Sequence, residues 1–276
     1  MASHSTARIN AAAGVPATVS LRGWIRLAVR VSSMVLALIV LVPLHYLWRL
    51  FRLGSPWPWL FLSIAARCAG ARVKRLGTPL KRDVFYVANH VSWIDICAMG
   101  ATSGTAFVAK AEIADSPLIG WLARINRTVF VKREDKMNVA EQINELRDAL
   151  ADNWAVTIFP EATTSDGHSL LPFKTSMLKV LEPPPLGVLV QPVHINYGEV
   201  AEDIGWIGEE SGKDNAIRIL SRRGSFPLVV HFLEPFSPAD YPGRKAIAAE
   251  CRLRIEAALV VALGKELRPF TAHSAP

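Results

Sequence analysis

A histidine stands five residues ahead of an aspartate in Asn89-His90-Val91-Ser92-Trp93-Ile94-Asp95, just past the apolar run Val84–Ala88. Histidine exchanges a proton near neutral pH, its unperturbed pKa being about 6.5. A carboxylate that accepts the other ring N–H fixes the tautomer and stabilises the imidazolium formed during proton transfer. The chemistry such a pair offers is activation of a hydroxyl or of water by a general base. On a regular helix, five residues would set the two side chains about 140° apart. The pair therefore needs a turn entering a helix, which the end of a strand supplies. Ser92 could be read as a nucleophile, but two residues from its base on a turn it lacks the reach.

A second segment, Phe159-Pro160-Glu161-Ala162-Thr163-Thr164-Ser165-Asp166-Gly167, also follows an apolar run, Ala155–Phe159. Hydroxyls and backbone N–H groups beside a strand end suit an oxyanion or a phosphate. Between the two segments lies Val129-Phe130-Val131-Lys132-Arg133, a strand that ends in cations. A fourth, Val190-Gln191-Pro192-Val193, is a strand interrupted by proline.

The elements that must position these residues read as alternating strands and helices. Strands are expected at Val84–Ala88, Thr105–Lys110, Thr128–Lys132, Ala155–Phe159, Val188–Ile195 and Phe226–Phe232. Val139, Ile143, Leu146 and Leu150 recur at three and four, which predicts an amphipathic helix over Asn138–Leu150. Arg244–Leu263 reads as a closing helix, and Gly198–Asn215 as a loop or short helix. This alternation predicts one α/β domain with a central, mostly parallel or mixed sheet flanked by helices. The 276 residues are 51% hydrophobic and 20% charged. That excludes disorder, collagen and coiled coil as overall descriptions. Cys68, Cys97 and Cys251 are too few and too scattered for a disulfide framework or a zinc site, and no metal-ligand cluster is visible. Cys97 reads as core packing. His194 and His231, inside apolar strands, read as satisfied structural histidines.

The front of the chain has a different character. Val31–Trp48 is an uncharged run of 18 residues, about 27 Å long as a helix against a hydrocarbon core of roughly 30 Å. His45, Tyr46 and Trp48 fall where interfacial side chains would lie. Arg22, Arg26 and Arg30 precede the run, and cations follow it, so the positive-inside rule gives no orientation. A second run, Leu53–Ala66, is too short to span. A hairpin immersed in one leaflet, turning near Gly54–Pro58, is preferred over a single span, with a buried core helix as the remaining alternative. The basic stretch Arg67–Arg82 and the net charge of +7 suit anionic headgroups. No nucleic-acid-binding motif accompanies them. The expected organisation is a flexible N-terminus (1–20), a membrane-associated hairpin or span (21–68), the catalytic domain (69–266) and a flexible C-terminus (267–276).

The four segments, in this order, resemble the glycerolipid acyltransferase family typified by bacterial lysophosphatidic acid acyltransferases. Asn89, His90 and Asp95 match its Asn-His-x4-Asp block. Arg133 matches the arginine after its second strand. Phe159, Pro160, Glu161, Thr163 and Ser165 match its third block, and Val190, Pro192 and Val193 its fourth. Ala162 stands where the family commonly has glycine, and Thr164 where it has an arginine that would help bind phosphate. Thr163–Gly167, followed by Leu171-Pro172-Phe173-Lys174, looks like the subgroup of lyso-ornithine lipid acyltransferases.

The resemblance implies a lysolipid O-acyltransferase without a cofactor. His90 would act as base, oriented by Asp95, and the acceptor hydroxyl would attack the thioester of acyl carrier protein or acyl-CoA directly. Arg133, Glu161, Thr163, Ser165 and Lys174 would bind or orient the acceptor. Lysophosphatidic acid is the acceptor of the wider family, and Arg133 and Lys174 keep phosphate binding open. Lyso-ornithine lipid is the alternative that Thr164 favours. The implied location is the cytosolic face of a bacterial inner membrane. A non-catalytic lipid-binding protein of the same fold is the competing reading from another class.

Overall fold

The computed structural model describes residues 6–131 and 155–267. Arg133 and the helix expected over Asn138–Leu150 lie outside the described residues.

Among the described residues seven strands form one sheet: β1 (Ala71–Leu76), β2 (Val84–Ala88), β3 (Ala106–Lys110), β4 (Val129–Val131), β5 (Ala155–Ile158), β6 (Leu189–Asn196) and β7 (Phe226–Phe232). Their order is β1-β7-β6-β2-β5-β3-β4. Every neighbouring pair is parallel except β6–β7. The sheet is therefore mixed, and β1 and β7 run opposite to the rest. Six strands match the apolar β-branched runs of the sequence. β1 is the addition, inside a stretch whose charge masks it: Arg72, Lys74 and Arg75 are exposed along this edge strand. Cations on an edge also discourage pairing with another chain.

The helices are α1 (Thr6–Ala12), α2 (Leu21–Leu50), α3 (Trp57–Cys68), α4 (Ile94–Ser103), α5 (Pro117–Ile125), α6 (Ala201–Ile204), α7 (Gly212–Ser221) and α8 (Gly243–Leu263). The expected loop region Gly198–Asn215 thus holds α6 and the start of α7. Side chains of β2 alternate between two cores, as strand geometry requires. Val84, Tyr86 and Ala88 pack with residues of α3, α4 and α7. Phe85 and Val87 pack on the other face, with Ile247 and Cys251 of α8.

α2 is a single helix of 30 residues, about 45 Å long. Ser20 caps its start by accepting from the Gly23 N–H (3.2 Å). Its most apolar window has a mean hydropathy of 2.3 and is only 6% buried. Val29, Leu36, Ile39, Val40 and Leu47 are exposed along it. After the turn at 51–56, α3 folds back and packs on both α2 and α4. Pro58 occupies the first turn of α3, where its missing N–H costs nothing, so it starts this helix and does not break it. The N-terminal half of α2 is fastened to the domain. Arg26 donates to Ser221 O (2.8 Å), and Arg30 to Ile219 O, Leu220 O and Gly224 O (3.1, 3.1 and 3.0 Å). Three of these carbonyls, of Ile219, Leu220 and Ser221, lie at the end of α7, where a helix is short of donors and carries partial negative charge, and Gly224 is in the turn that follows.

Candidate active site

Strand order decides what meets at the site. β6, β2 and β5 are neighbours and run parallel, so the residues that follow them emerge side by side at their C-terminal ends. Asn89–Asp95 follows β2, Phe159–Gly167 follows β5, and Tyr197 follows β6. Ligands of α/β sheets bind at this edge.

α4 begins only at Ile94, which places His90 on the turn and Asp95 in the first helical turn, as the spacing demanded. His90 Nδ1 lies 2.8 Å from Asp95 Oδ2. The carboxylate only accepts, so Nδ1 carries the hydrogen and Nε2 is left as the acceptor. Asp95 is fully buried and has four donors. Val91 N–H and Ser92 N–H reach Oδ2 at 2.6 and 2.9 Å, beside His90, and the Tyr197 hydroxyl reaches Oδ1 at 2.5 Å. Burial and then the Asp95 charge push the Tyr197 hydroxyl well up, which keeps it a donor. The His90 ring stacks on Phe159, with centroids 4.1 Å apart and planes at 19°. Asn89 ties β2 to β6 through both ends of its amide, donating to Ile195 O (3.0 Å) and accepting from Ile195 N–H (2.7 Å). Ser92 is buried within the turn.

The third block is fastened to the first. Glu161 is buried, and both its oxygens accept backbone N–H groups, from His90 at 2.7 Å and from Leu171 at 2.9 Å. Burial pushes this carboxyl up to about 8, against the pull of those two donors. With both oxygens engaged, Glu161 holds the turn at His90 and the loop at 171 together. Ser165 is likewise turned inward, its N–H and hydroxyl both donating to His90 O (2.8 and 3.1 Å). Thr163 is exposed at the surface of the loop, and Thr164 donates to Trp206 O. Lys174 is exposed, and its backbone N–H donates to Pro160 O (2.8 Å).

Ala162 has a φ of 66°. A Cβ in this left-handed region costs roughly 1–2 kcal/mol, which is why glycine suits the position. The strain lies one residue from Glu161.

Sequence reasoning missed several parts of this assembly. In the sequence Phe159 shows only its place in a motif, and Tyr197 and Arg252 carry no local signal. Arg252, on α8, donates to Leu170 O (3.0 Å) and Leu171 O (2.5 Å), pinning the loop that Glu161 holds from inside. Cys97 is core, with burial pushing its thiol up to about 12. His194 is buried as expected but is not satisfied, since Nε2 has no partner. Burial, then the charge of His231 beside it, pushes His194 down to about 4, so the unpaired nitrogen sits on a neutral ring. Among the described residues no group of three His, Cys, Asp or Glu side chains is placed to hold a metal.

The acyltransferase family model matches residues 71–196, the span that contains all four segments. A lyso-ornithine lipid O-acyltransferase of Rhodobacter capsulatus is 34% identical over 270 residues, covering 92% of this chain and 95% of that protein. A 1-acyl-sn-glycerol-3-phosphate acyltransferase of Neisseria gonorrhoeae is 36% identical over 117 residues, covering 42% of this chain and 46% of that one. The crystal structure of the 1-acyl-sn-glycerophosphate acyltransferase PlsC from Thermotoga maritima superposes with a TM-score of 0.58 at 20% identity, covering 84% of this chain and 93% of that one. That likeness concerns the fold. The sequence similarity is of another order, and the chain belongs to the lysophosphatidic acid acyltransferase-like family of glycerolipid acyltransferases and is a lysolipid O-acyltransferase.

Proposed function

We propose that the acceptor is a lyso-ornithine lipid and that its free hydroxyl receives the acyl group of a thioester of acyl carrier protein or CoA. The extent of the similarity carries this reading. It runs almost end to end with the lyso-ornithine lipid enzyme, and over less than half of the chain with the glycerol-phosphate enzyme. Thr164 agrees with it. The loop after β5 presents a neutral hydroxyl, turned to Trp206 O, where an arginine would hold a phosphate. The test is acyl transfer by the purified protein with lyso-ornithine lipid and lysophosphatidic acid side by side. Preference for the first by tenfold or more in kcat/KM, about 1.4 kcal/mol of transition-state discrimination, is expected. Equal use, or preference for the phosphate, overturns the assignment and points to Lys174 and Arg133 as phosphate ligands.

In this mechanism His90 Nε2 takes the proton of the acceptor hydroxyl as its oxygen bonds to the thioester carbonyl carbon. The tetrahedral oxyanion then collapses and breaks the C–S bond. The departing thiolate takes the proton from the imidazolium, so no acyl-enzyme forms and His90 is regenerated. The Asp95 carboxylate stabilises the imidazolium in between.

Tyr197 acts through Asp95 as a positioning residue. Its hydroxyl donates to Oδ1 and so fixes the orientation in which Oδ2 faces His90. Tyr197→Phe is expected to lower kcat about tenfold or more, the worth of one hydrogen bond to a charged group, with KM little changed. A variant that merely loses stability leaves kcat per folded molecule in place, so an unchanged kcat refutes the role.

The apolar α2 and the membrane-lipid chemistry of the family put the enzyme at a membrane. We further propose that α2 and α3 lie along one leaflet, at the cytosolic face. The packing of α3 back on α2 and α4 supports this, because a spanning α2 would carry α3 to the far side of the bilayer, away from α4.

A further inference from the structure

A cavity of about 590 Å³ opens at the opposite end of the sheet from His90, where the α2–α3 turn meets the starts of β3 and β5. The five residues of β2, about 17 Å by the rise of an extended strand, lie between the cavity and the turn that holds His90, so the cavity is not part of the catalytic site. Its lining brings together three stretches distant in sequence: the turn at Ser55–Trp59, Lys81 and Arg82 ahead of β2, and Arg127 ahead of β4. The charged side chains among these lining residues are Lys81, Arg82 and Arg127, all cations and all exposed. Asp83, next in the chain, does not line it. Arg49 and Arg52 flank the same turn. Like charges gathered around a concavity raise its potential and attract an anion, and guanidinium groups match phosphate oxygens two at a time.

The rim is of the opposite character. Leu50, Phe51, Leu53 and Trp59 are exposed at the turn, between 42% and 76% of their full accessibility. Apolar side chains exposed beside a basic concavity suit an amphiphile, which has an anionic head and hydrocarbon tails. A soluble anion leaves the rim bare.

We propose that this cavity binds the phosphodiester headgroup of an anionic membrane phospholipid, whose acyl chains lie against Leu50, Phe51 and Leu53 in the leaflet. The bound lipid fixes the turn at headgroup depth and sets the angle at which the domain rests on the membrane. The lipid held here is a component of the bilayer and is not turned over.

The test compares binding of the full chain to phosphatidylglycerol and to phosphatidylcholine vesicles. The double variant Lys81→Glu/Arg82→Glu is set against Lys74→Glu/Arg75→Glu, which changes net charge equally on the exposed edge strand β1. The first pair is expected to lower the preference for phosphatidylglycerol about tenfold or more, given the worth of each cation near an anionic surface. The control pair changes it by about twofold or less. Equal losses in the two variants mean diffuse attraction and overturn the proposal. It also falls if the first pair loses binding of glycerol 3-phosphate while vesicle binding is kept, or loses binding of acyl carrier protein in place of vesicles. Acyl transfer to detergent-dispersed lysolipid reports folding and should be retained by both variants. Because vesicle binding is read apart from transfer, failure of the acceptor assignment leaves this result standing.

Discussion

Replacing His90 by alanine is expected to lower the turnover of acyl transfer by roughly 10²–10⁴-fold, the contribution of a well-placed general base. The fold should survive the change. Alanine keeps the backbone N–H that Glu161 accepts at 2.7 Å. Asp95 loses one donor and keeps three, Val91 N–H, Ser92 N–H and the Tyr197 hydroxyl. What is lost in stability is chiefly the stack on Phe159, a contact worth about 1 kcal/mol in a domain whose total is about 5–15 kcal/mol. Retained acyl transfer by a folded His90→Ala protein would refute the role of this ring as base while leaving the fold assignment intact. Loss of transfer with an unchanged melting curve is the result expected. A hydrolase built on Ser92 would lose activity in the same variant, so it is tested apart: failure of a serine-directed covalent inhibitor to label the protein disposes of it.

The second large effect belongs to Asp95, and here the choice of substitution decides whether the experiment means anything. Alanine would orphan three donors around a fully buried site, Val91 N–H, Ser92 N–H and the Tyr197 hydroxyl. At about 1–3 kcal/mol each, that is comparable with the whole stability of a domain. Asparagine is the informative change. Its amide oxygen can take the place of Oδ2 before His90 and the two N–H groups, and its NH₂ faces a Tyr197 hydroxyl able to accept instead of donate. Geometry is kept and charge is removed. Asp95→Asn is expected to cost roughly 10²-fold or more in kcat, since the imidazolium then forms without its counter-charge. KM for the acceptor should change little, because Asp95 is buried behind His90. A kcat within about threefold of wild type, well below the lower bound for general-base assistance, would mean that Asp95 only shapes the turn.

The two experiments test a constellation whose halves were unequally visible. His90 and Asp95 are close in the chain, and their meeting needs only a turn between a strand and a helix, so both could be named from spacing. Six of the seven strands were visible too, because burial of one or both faces leaves a β-branched and apolar signature in the segment itself, continuous in β2 and β5 and alternating in β7. β1 was not, since an edge strand with exposed Arg72, Lys74 and Arg75 carries no such signature.

Other parts had no local signal at all. Tyr197 lies 102 residues from Asp95 and reaches it only because β6 is laid beside β2. Glu161 was named as a ligand of the acceptor from its place in a motif, while its oxygens are engaged by N–H groups 71 and 10 residues away. The basic cavity draws on the α2–α3 turn, on Lys81 and Arg82, and on Arg127, none of which marks the others in the sequence.

What the sequence by itself determined is therefore the pairing of His90 with Asp95, the α/β class and the long apolar helix at the front of the chain, since each is written in the spacing, burial and polarity of one contiguous segment. Strand order was decided only by the tertiary structure. With it came the donors that surround Asp95, the inward use of Glu161 and Ser165, and the cations gathered at the far end of the sheet. The physical reason is that a hydrogen-bond partner is specified by a neighbour in space, and a sheet that runs 1-7-6-2-5-3-4 makes neighbours of residues a hundred positions apart.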